Sequence, residues 1–368
     1  MVQRKRSKSA AQSRGHSQIV TIKSLAQYLE LSPATVSLVI NQTAKAQSFP
    51  ERTRNRILAA AKKFNYRPNF VARSLRKQQT FTIGVLVPEI SEGYGAMVMA
   101  GIEDFLLRSG YFYFVVSHHH KQHLLQQYQR LFLERLVEGL IVVDTVLAEH
   151  FPIPMVAVSG HRRVPGVTNV VLDHRHAASL ALHHLAQLGH RRIAFIKGQS
   201  FSSDTEIRWN SIRHAARELG IAVDPDLVTQ LEADSPSPEP GYDVTRRLLA
   251  KKDDFTALFA FNDVSAIGAI RALLDHGLRV PQDVSVVGFD DIQNAAFQNP
   301  RLTTVRQPLR RMGELAAETL LQRINGAKSY PKVIAVEPEL VIRESTVSPL
   351  LPDLLSESRD NREARRER

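Results

Sequence analysis

The sequence predicts a small all-α headpiece followed by an α/β core of two doubly wound parallel-sheet subdomains. Three observations carry this expectation. Between residues 19 and 66, apolar residues recur at helical spacing in short, well-capped stretches. From Phe81 onward, near-continuous apolar runs alternate with longer helical patterns, as in a parallel sheet covered on both faces. That alternation runs through two rounds, which implies two sheets with a cleft between them. At 368 residues and 43% hydrophobic content, the chain can build two or three such units.

In the headpiece, Ile22, Leu25, Ala26 and Leu29 share one helical face, with Thr21 placed to cap it. Glu30-Leu31-Ser32 is a short turn. Ser32 can then cap a second helix, and Pro33 at its first position loses nothing by lacking an N–H. Val36, Val39 and Ile40 form the apolar face of that helix; Pro33, Ala34, Ser37, Leu38 and Asn41 are expected on the free face. Residues 51–64 predict a third helix with Ile57, Leu58, Ala61 and Phe64 inward. The outline is a helix-turn-helix. Pro68 ends the third helix by biasing Arg67 away from helical angles. Asn69 can cap a short following helix, residues 70–76, too short to be stable without support.

In the core, strands are predicted at 82–87, 112–116, 140–143, 155–158, 193–196, 257–261 and 284–289. Helices are predicted at 97–107, 124–136, 177–188, 205–219, 242–249, 264–274 and 308–324, with short strands near Val333 and Leu340. Five segments follow. Residues 1–18 are a disordered basic extension, 19–66 a helix-turn-helix domain and 67–80 a hinge helix and linker. Residues 81–345 are a two-subdomain ligand-binding and dimerisation core, and 346–368 a disordered tail.

Charge is unevenly placed. The chain holds 48 Lys and Arg against 37 Asp and Glu, a formal +11. The first 80 residues carry 16 of those cations and only Glu30 and Glu51 as anions, so the remainder sums to −3. A basic head on a slightly acidic body suits contact with polyphosphate through counterion release. The chain has no cysteine, which removes disulfides and thiolate metal sites and is compatible with a cytoplasmic setting. The polar, basic N-terminus does not read as a secretory signal, and no apolar run approaches membrane-spanning length.

The headpiece resembles that of the lactose-repressor (LacI/GalR) family of bacterial transcription regulators. The matching residues are Thr21-Ile22, Leu25-Ala26, Ser32, Thr35-Val36-Ser37, Asn41, Thr53-Arg54, Asn65-Tyr66-Arg67-Pro68-Asn69 and Ala72-Arg73-Ser74-Leu75. The core continues the match in order. It runs through Leu188-Gly189-His190-Arg191-Arg192-Ile193, Phe261-Asn262-Asp263, Val287-Gly288-Phe289-Asp290-Asp291 and Leu302-Thr303-Thr304-Val305. The resemblance implies a periplasmic-binding-protein-like core and a homodimer that reads a near-palindromic double-stranded DNA operator. It also implies a small-molecule effector, a sugar or sugar acid, with no cofactor.

By that resemblance the DNA-binding residues are Thr21, Ile22, Ser32, Pro33, Ala34, Thr35, Ser37, Asn41, Asn69, Ala72, Arg73 and Leu75, with Leu75 as a minor-groove wedge. Leu38 stands where relatives often carry Arg, which removes a guanine-directed contact. Three extra residues lengthen the loop at 42–50. The effector-binding residues are Tyr94, Arg208, Asn262 and Asp290. Asp290 follows an apolar strand, where open α/β sheets place ligand groups. Arg208 offers a five-donor fork, and Asn262 offers both donor and acceptor. Asp263 and Asp291 read as caps. Pro236, Gly95 and Ser211 depart from the family pattern and imply a pocket of altered shape.

Other functions fit less well. A secreted sugar receptor would share the core but has no use for the basic headpiece. An enzyme would need a nucleophile or acid–base motif, and neither a P-loop nor a GxSxG elbow occurs. The run His118-His119-His120 with His123 lacks a nearby carboxylate or cysteine and reads as surface histidines at a strand end.

Overall fold

Thr21 caps the first helix of the headpiece. Its hydroxyl accepts from Ser24 N–H at 3.2 Å, and Ser24 Oγ accepts from Thr21 N–H at 2.9 Å, a reciprocal capping box. The computed structural model describes residues 20–66, 74, 79–90, 93–146, 152–251 and 254–349. The chain divides after Thr80 into two compact units. The basic extension, most of the hinge segment and residues 350–368 lie outside the described residues, whereas 346–349, expected in the disordered tail, are held to the core by Val347 N–H donating to Ser285 Oγ at 3.0 Å.

The first unit holds α1 (Ile22–Leu29), α2 (Pro33–Ile40) and α3 (Glu51–Lys63). Glu30 ends α1 in the left-handed conformation (φ 56°), turning the chain towards Ser32. Ser32 Oγ accepts from Thr35 N–H at 3.0 Å and so caps α2. Leu25, Leu29, Val36, Val39 and Ile57 close a shared core, with Phe64 and Tyr66 packed against it. Two residues depart from the helical-wheel reading. Leu58 is 45% exposed, because Ile57, Ala60, Ala61 and Phe64 define the inner face and Leu58 lies a further 100° round. Ser37 is buried rather than free, and Asn41 Nδ2 folds back to donate to its carbonyl at 2.7 Å. The long loop carries a 3-10 turn, Ala44–Ser48, anchored by buried Ala46.

The second unit is two lobes. Its elements are β1 (Thr82–Val87), α4 (Tyr94–Arg108), β2 (Phe112–Ser117), α5 (Gln122–Glu134), β3 (Gly139–Val143), β4 (Met155–Val158) and β5 (Val167–Leu172). Then come α6 (His174–Gln187), β6 (Ile193–Lys197), α7 (Asp204–Glu218), β7 (Val228–Gln230), α8 (Glu239–Lys251), β8 (Ala257–Phe259), α9 (Asp263–Asp275) and β9 (Ser285–Asp290). The chain finishes with β10 (Thr303–Arg306), α10 (Leu309–Ile324), β11 (Val333–Val336) and β12 (Glu339–Val341).

The first sheet is ordered β11-β5-β4-β3-β1-β2 and is parallel throughout. The second, β12-β10-β9-β8-β6-β7, is parallel except that β12 runs antiparallel to β10. Every residue of β1 and of β9 is buried, as strands covered on both faces require. The chain passes between the lobes three times: after β5, after β10, and between β11 and β12. Thus α10 follows a strand of the second lobe but packs on α4 of the first. A Cβ at Gly101 would sit 1.9 Å from Arg310 O, and one at Gly313 would sit 2.1 Å from Val98 O. The two helices therefore cross backbone to backbone. The strands β5, β7 and β10 and the antiparallel direction of β12 lie outside the elements that the sequence predicts.

Candidate effector cleft and DNA-facing surface

On the headpiece, Thr21, Ser32, Pro33, Ala34 and Asn41 are exposed, while Ile22 and Thr35 are half-buried. Thr35 Oγ1 lies 2.9 Å from Ser32 Oγ, so the cap and its neighbour hold each other in place. Ser37 is not on this surface. Asn69, Ala72, Arg73 and Leu75 lie outside the described residues. Lys63 lies over Tyr28 and Phe64, at 5.2 and 5.4 Å from the ring centres, and donates to the Tyr28 hydroxyl at 3.0 Å.

In the core, the carboxyl ends of the strands in both lobes face one cleft. Tyr94, Arg208, Asn262 and Asp290 all line it, so the four predicted effector residues come together. Gly95 and Pro236 line it too; Ser211 does not, and instead donates to Ile207 O at 2.8 Å beside a neighbouring depression. Asn262 spends its side-chain oxygen on capping α9, accepting from Ser265 N–H at 2.9 Å.

Arg208 is 3% exposed, and its guanidinium carbon lies 3.7 Å from the Phe289 ring centre and 4.4 Å from that of Phe261. One terminal nitrogen donates to Phe261 O; the other donates to Asp204 Oδ2 at 3.0 Å. Its Nε has no partner. Asp290 is buried at a strained φ of 112° and accepts from Gln307 Nε2 at 2.6 Å. Burial pushes its carboxyl up to about 7, against the opposing pull of Arg208 and the Gln307 bond. Burial, reinforced by Asp204 and Asp144, raises the Tyr94 phenol well above its ordinary value, so it stays protonated beside Ser159 Oγ, 2.6 Å away.

Neither neighbouring aspartate is a cap. Asp263 accepts from Thr304 Oγ1 at 2.5 Å and from Ile292 N–H at 2.8 Å. Asp291 pairs with Arg306 at 2.7 Å and Arg343 at 2.6 Å. Nor are the clustered histidines all superficial. His118 is 2% exposed and 2.9 Å from Thr145 Oγ1, and burial, helped by His120 and His119, pushes it down to about 4.

Contacts that bridge the lobes were not anticipated. Asp144, just after β3, accepts from Ser203 Oγ at 2.7 Å and Ser203 N–H at 3.0 Å. His120 packs against Phe201 with ring centres 4.0 Å apart and planes tilted by 37°. His161 Nε2 lies 2.5 Å from Asp204 Oδ1. Burial alone would raise Asp204, but His174, His161 and Arg208 outweigh it and hold the carboxyl well below its usual range. Asp144 follows an apolar strand as Asp290 does, so the same strand-end rule would have found it.

A capped helix-turn-helix ahead of a two-lobed core with a polar cleft defines a DNA-binding regulator governed by a small ligand. The family model for bacterial regulatory proteins, lacI family, matches residues 21–69, and that for a periplasmic binding protein-like domain matches residues 182–346. The HTH-type transcriptional repressor PurR of Aliivibrio fischeri (strain MJ11) is 33% identical over 340 residues, covering 90% of this chain and 100% of that protein. PurR of Erwinia tasmaniensis is 35% identical over 336 residues, covering 89% and 97%. The lac repressor dimer bound to operator and the anti-inducer ONPF is 26% identical with a TM-score of 0.80, covering 90% of this chain and 100% of that one. The transcriptional regulator CelR–cellobiose complex is 27% identical with a TM-score of 0.65, covering 89% and 99%. The chain belongs to the lacI family of bacterial regulatory proteins, and is a ligand-responsive, DNA-binding transcriptional repressor.

Proposed function

We propose that the chain acts as a homodimer on a near-palindromic operator and that its effector is a sugar or sugar acid. The observation that carries the effector class is the convergence of Asp290, Arg208, Asn262 and Tyr94 on one cleft of about 150 Å³. That volume suits a single ring-sized molecule. Asp290 accepts hydroxyl hydrogens, and the free Nε of Arg208 and the amide of Asn262 donate to ring or carboxylate oxygens. Pro236 in the lining, where many relatives carry an aromatic, gives a flat base less to stack on. The solved CelR–cellobiose complex, of the same fold, has a sugar as its ligand.

On DNA, Pro33, Ala34 and Thr35 face the major groove, Thr21, Ser32 and Asn41 position the phosphates, and Ile22 touches a base or sugar edge. Residues 67–80 form the hinge: Asn69, Ala72 and Arg73 approach the minor groove and Leu75 wedges into it. The effector shifts one lobe against the other and thereby changes operator affinity through its differential binding to the two states. The chain works in the cytoplasm and not as an enzyme. No helix among the described residues is long and apolar enough to cross a membrane.

A thermal-shift screen of sugars, sugar acids and nucleobases, paired with gel shifts on the promoter region of the chain's own gene, tests this reading. A sugar or sugar acid should raise the melting temperature and change operator affinity. A response to nucleobases alone would replace the effector class, and equal affinity for scrambled DNA would sink the operator reading.

A further inference from the structure

Where the chain first passes between the lobes, three potential metal ligands from distant parts of the sequence meet. His161 lies in the loop between β4 and β5, His174 opens α6, and Asp204 opens α7. One ligand atom from each lies within 4.8 Å of the others. His161 Nε2 is 2.5 Å and His174 Nε2 3.4 Å from the same oxygen, Asp204 Oδ1. We propose that these three side chains bind a divalent transition-metal cation of the zinc class, clipping the first lobe to the second beside the effector arginine.

Two features separate this group from an ordinary buried ion pair. His174 is 4% exposed, yet its Nδ1 has no partner and its Nε2 reaches only Asp204 Oδ1, at a long 3.4 Å. A buried imidazole held by one long contact is unusual, because the desolvation of its nitrogens is poorly compensated. A metal bond at Nε2 would replace that long contact with a short one. Second, the other oxygen of Asp204 is already fixed by Arg208 at 3.0 Å. This leaves Oδ1 directed at the histidines, the outer-shell orientation that metal-binding carboxylates depend on.

Two imidazoles and one carboxylate form a nitrogen-rich set that zinc accepts at about 2.0–2.2 Å per bond, usually with a fourth position left open. Tetrahedral bonds of that length place ligand atoms roughly 3.3–3.6 Å apart. The His174–Asp204 distance already fits. The His161–Asp204 hydrogen bond would open by about an ångström, within reach of a loop residue. His161 also lines an open depression beside the cluster, which gives an ion access from solvent. The guanidinium of Arg208 opposes the cation, so metal and effector binding should influence each other through Asp204.

Equilibrium dialysis of the full chain against Zn²⁺ tests the site, with Co²⁺ absorption reporting the ligand geometry. The parent chain should take up zinc with a tetrahedral Co²⁺ spectrum, and zinc should raise its melting temperature. His161→Ala removes a half-buried loop side chain, so the fold should persist. It should lose one zinc equivalent or weaken it by at least about tenfold, as removal even of outer-shell partners can, and abolish the zinc-induced rise. His174→Asn should do the same without touching the loop. Zinc stoichiometry, affinity and spectrum unchanged in both variants would overturn the proposal by assigning the metal to other histidines. Absence of saturable binding by the parent chain would overturn it equally.

Discussion

The headpiece and the cleft solve opposite problems with the same polar vocabulary. On α1 and α2 the capping residues Thr21 and Ser32 bond to Ser24 and Thr35, three residues on, and stay at the surface. In the cleft, Arg208, Asp204 and Asp290 are buried and already bound to protein partners. A flat, exposed face gains affinity from charge and from contacts made in place on DNA. A buried cleft holds its charges in fixed positions before the ligand arrives, and each charge depends on the next. Damage should therefore stay local in the headpiece and spread in the core.

Arg208→Ala should show the spread at its largest. It leaves Asp204 buried without its guanidinium and empties the space between Phe261 and Phe289. Breaking a buried pair from one side costs about 3–5 kcal/mol. Denaturant melting of the core should register that loss, together with abolished effector response, while non-specific DNA affinity holds. A loss under about 1 kcal/mol would mean that the Asp204 network stands without its arginine.

How far such a network can be read from the sequence depends on whether its members share an element. Arg208 and Asp204 are one helical turn apart, Asp290 ends one apolar strand and Asn262 follows another, so local pattern and family resemblance both reach them. Asp144, His161, His174 and Asp204 come from four separate elements, and no spacing rule unites them. The same limit applies to the fold. The strand β5 is interrupted by Thr168 and Asn169, which break its apolar run, yet both are buried; Thr168 donates to Pro331 O at 2.7 Å. That partner lies 163 residues away. By contrast the headpiece helices are set by neighbours three and four residues apart, and only Leu58, turned outward, and Ser37, turned inward, differ from the expected faces.

Next in size is a pH effect confined to the cleft. Asp290 is held up to about 7 by burial, so the folded, ligand-free core binds its proton more tightly than the unfolded chain. That contribution is fully present below the ordinary aspartate range and is lost as pH rises through about 7. A ligand that donates hydroxyls to Asp290 needs the ionised form, so its affinity should run the other way. Between pH 6 and 8 effector affinity should rise about tenfold, the ratio of ionised fractions around such a midpoint. Calorimetric titration at the two pH values checks it, and Asp290→Asn should flatten the profile. An unchanged affinity would remove Asp290 from direct ligand contact.

Smaller still, Ser32→Ala removes the α2 cap. It should lower headpiece stability by about 1 kcal/mol and weaken operator binding several-fold. Effector affinity measured on the same protein should not move. If it moves in step with operator affinity, the headpiece cap is coupled to the cleft and the locality assigned to this surface is wrong.

The smallest effect is the sharpest test of that locality. Leu58 looks like a core residue in sequence, beside Ile57 and among the apolar positions of α3, but it is 45% exposed while Ile57 is fully buried. Leu58→Gln should change headpiece stability by no more than about 0.5 kcal/mol, the range of surface substitutions. Ile57→Ala, one residue away, should cost about 2–5 kcal/mol through the cavity it leaves. Urea melts of the two full-length variants, followed through the operator-binding fraction that survives, separate the outcomes. Similar losses in both would place Leu58 against a partner that covers it in the working molecule; a wide gap would show that α3 offers its leucine to solvent and keeps its stability on the opposite face.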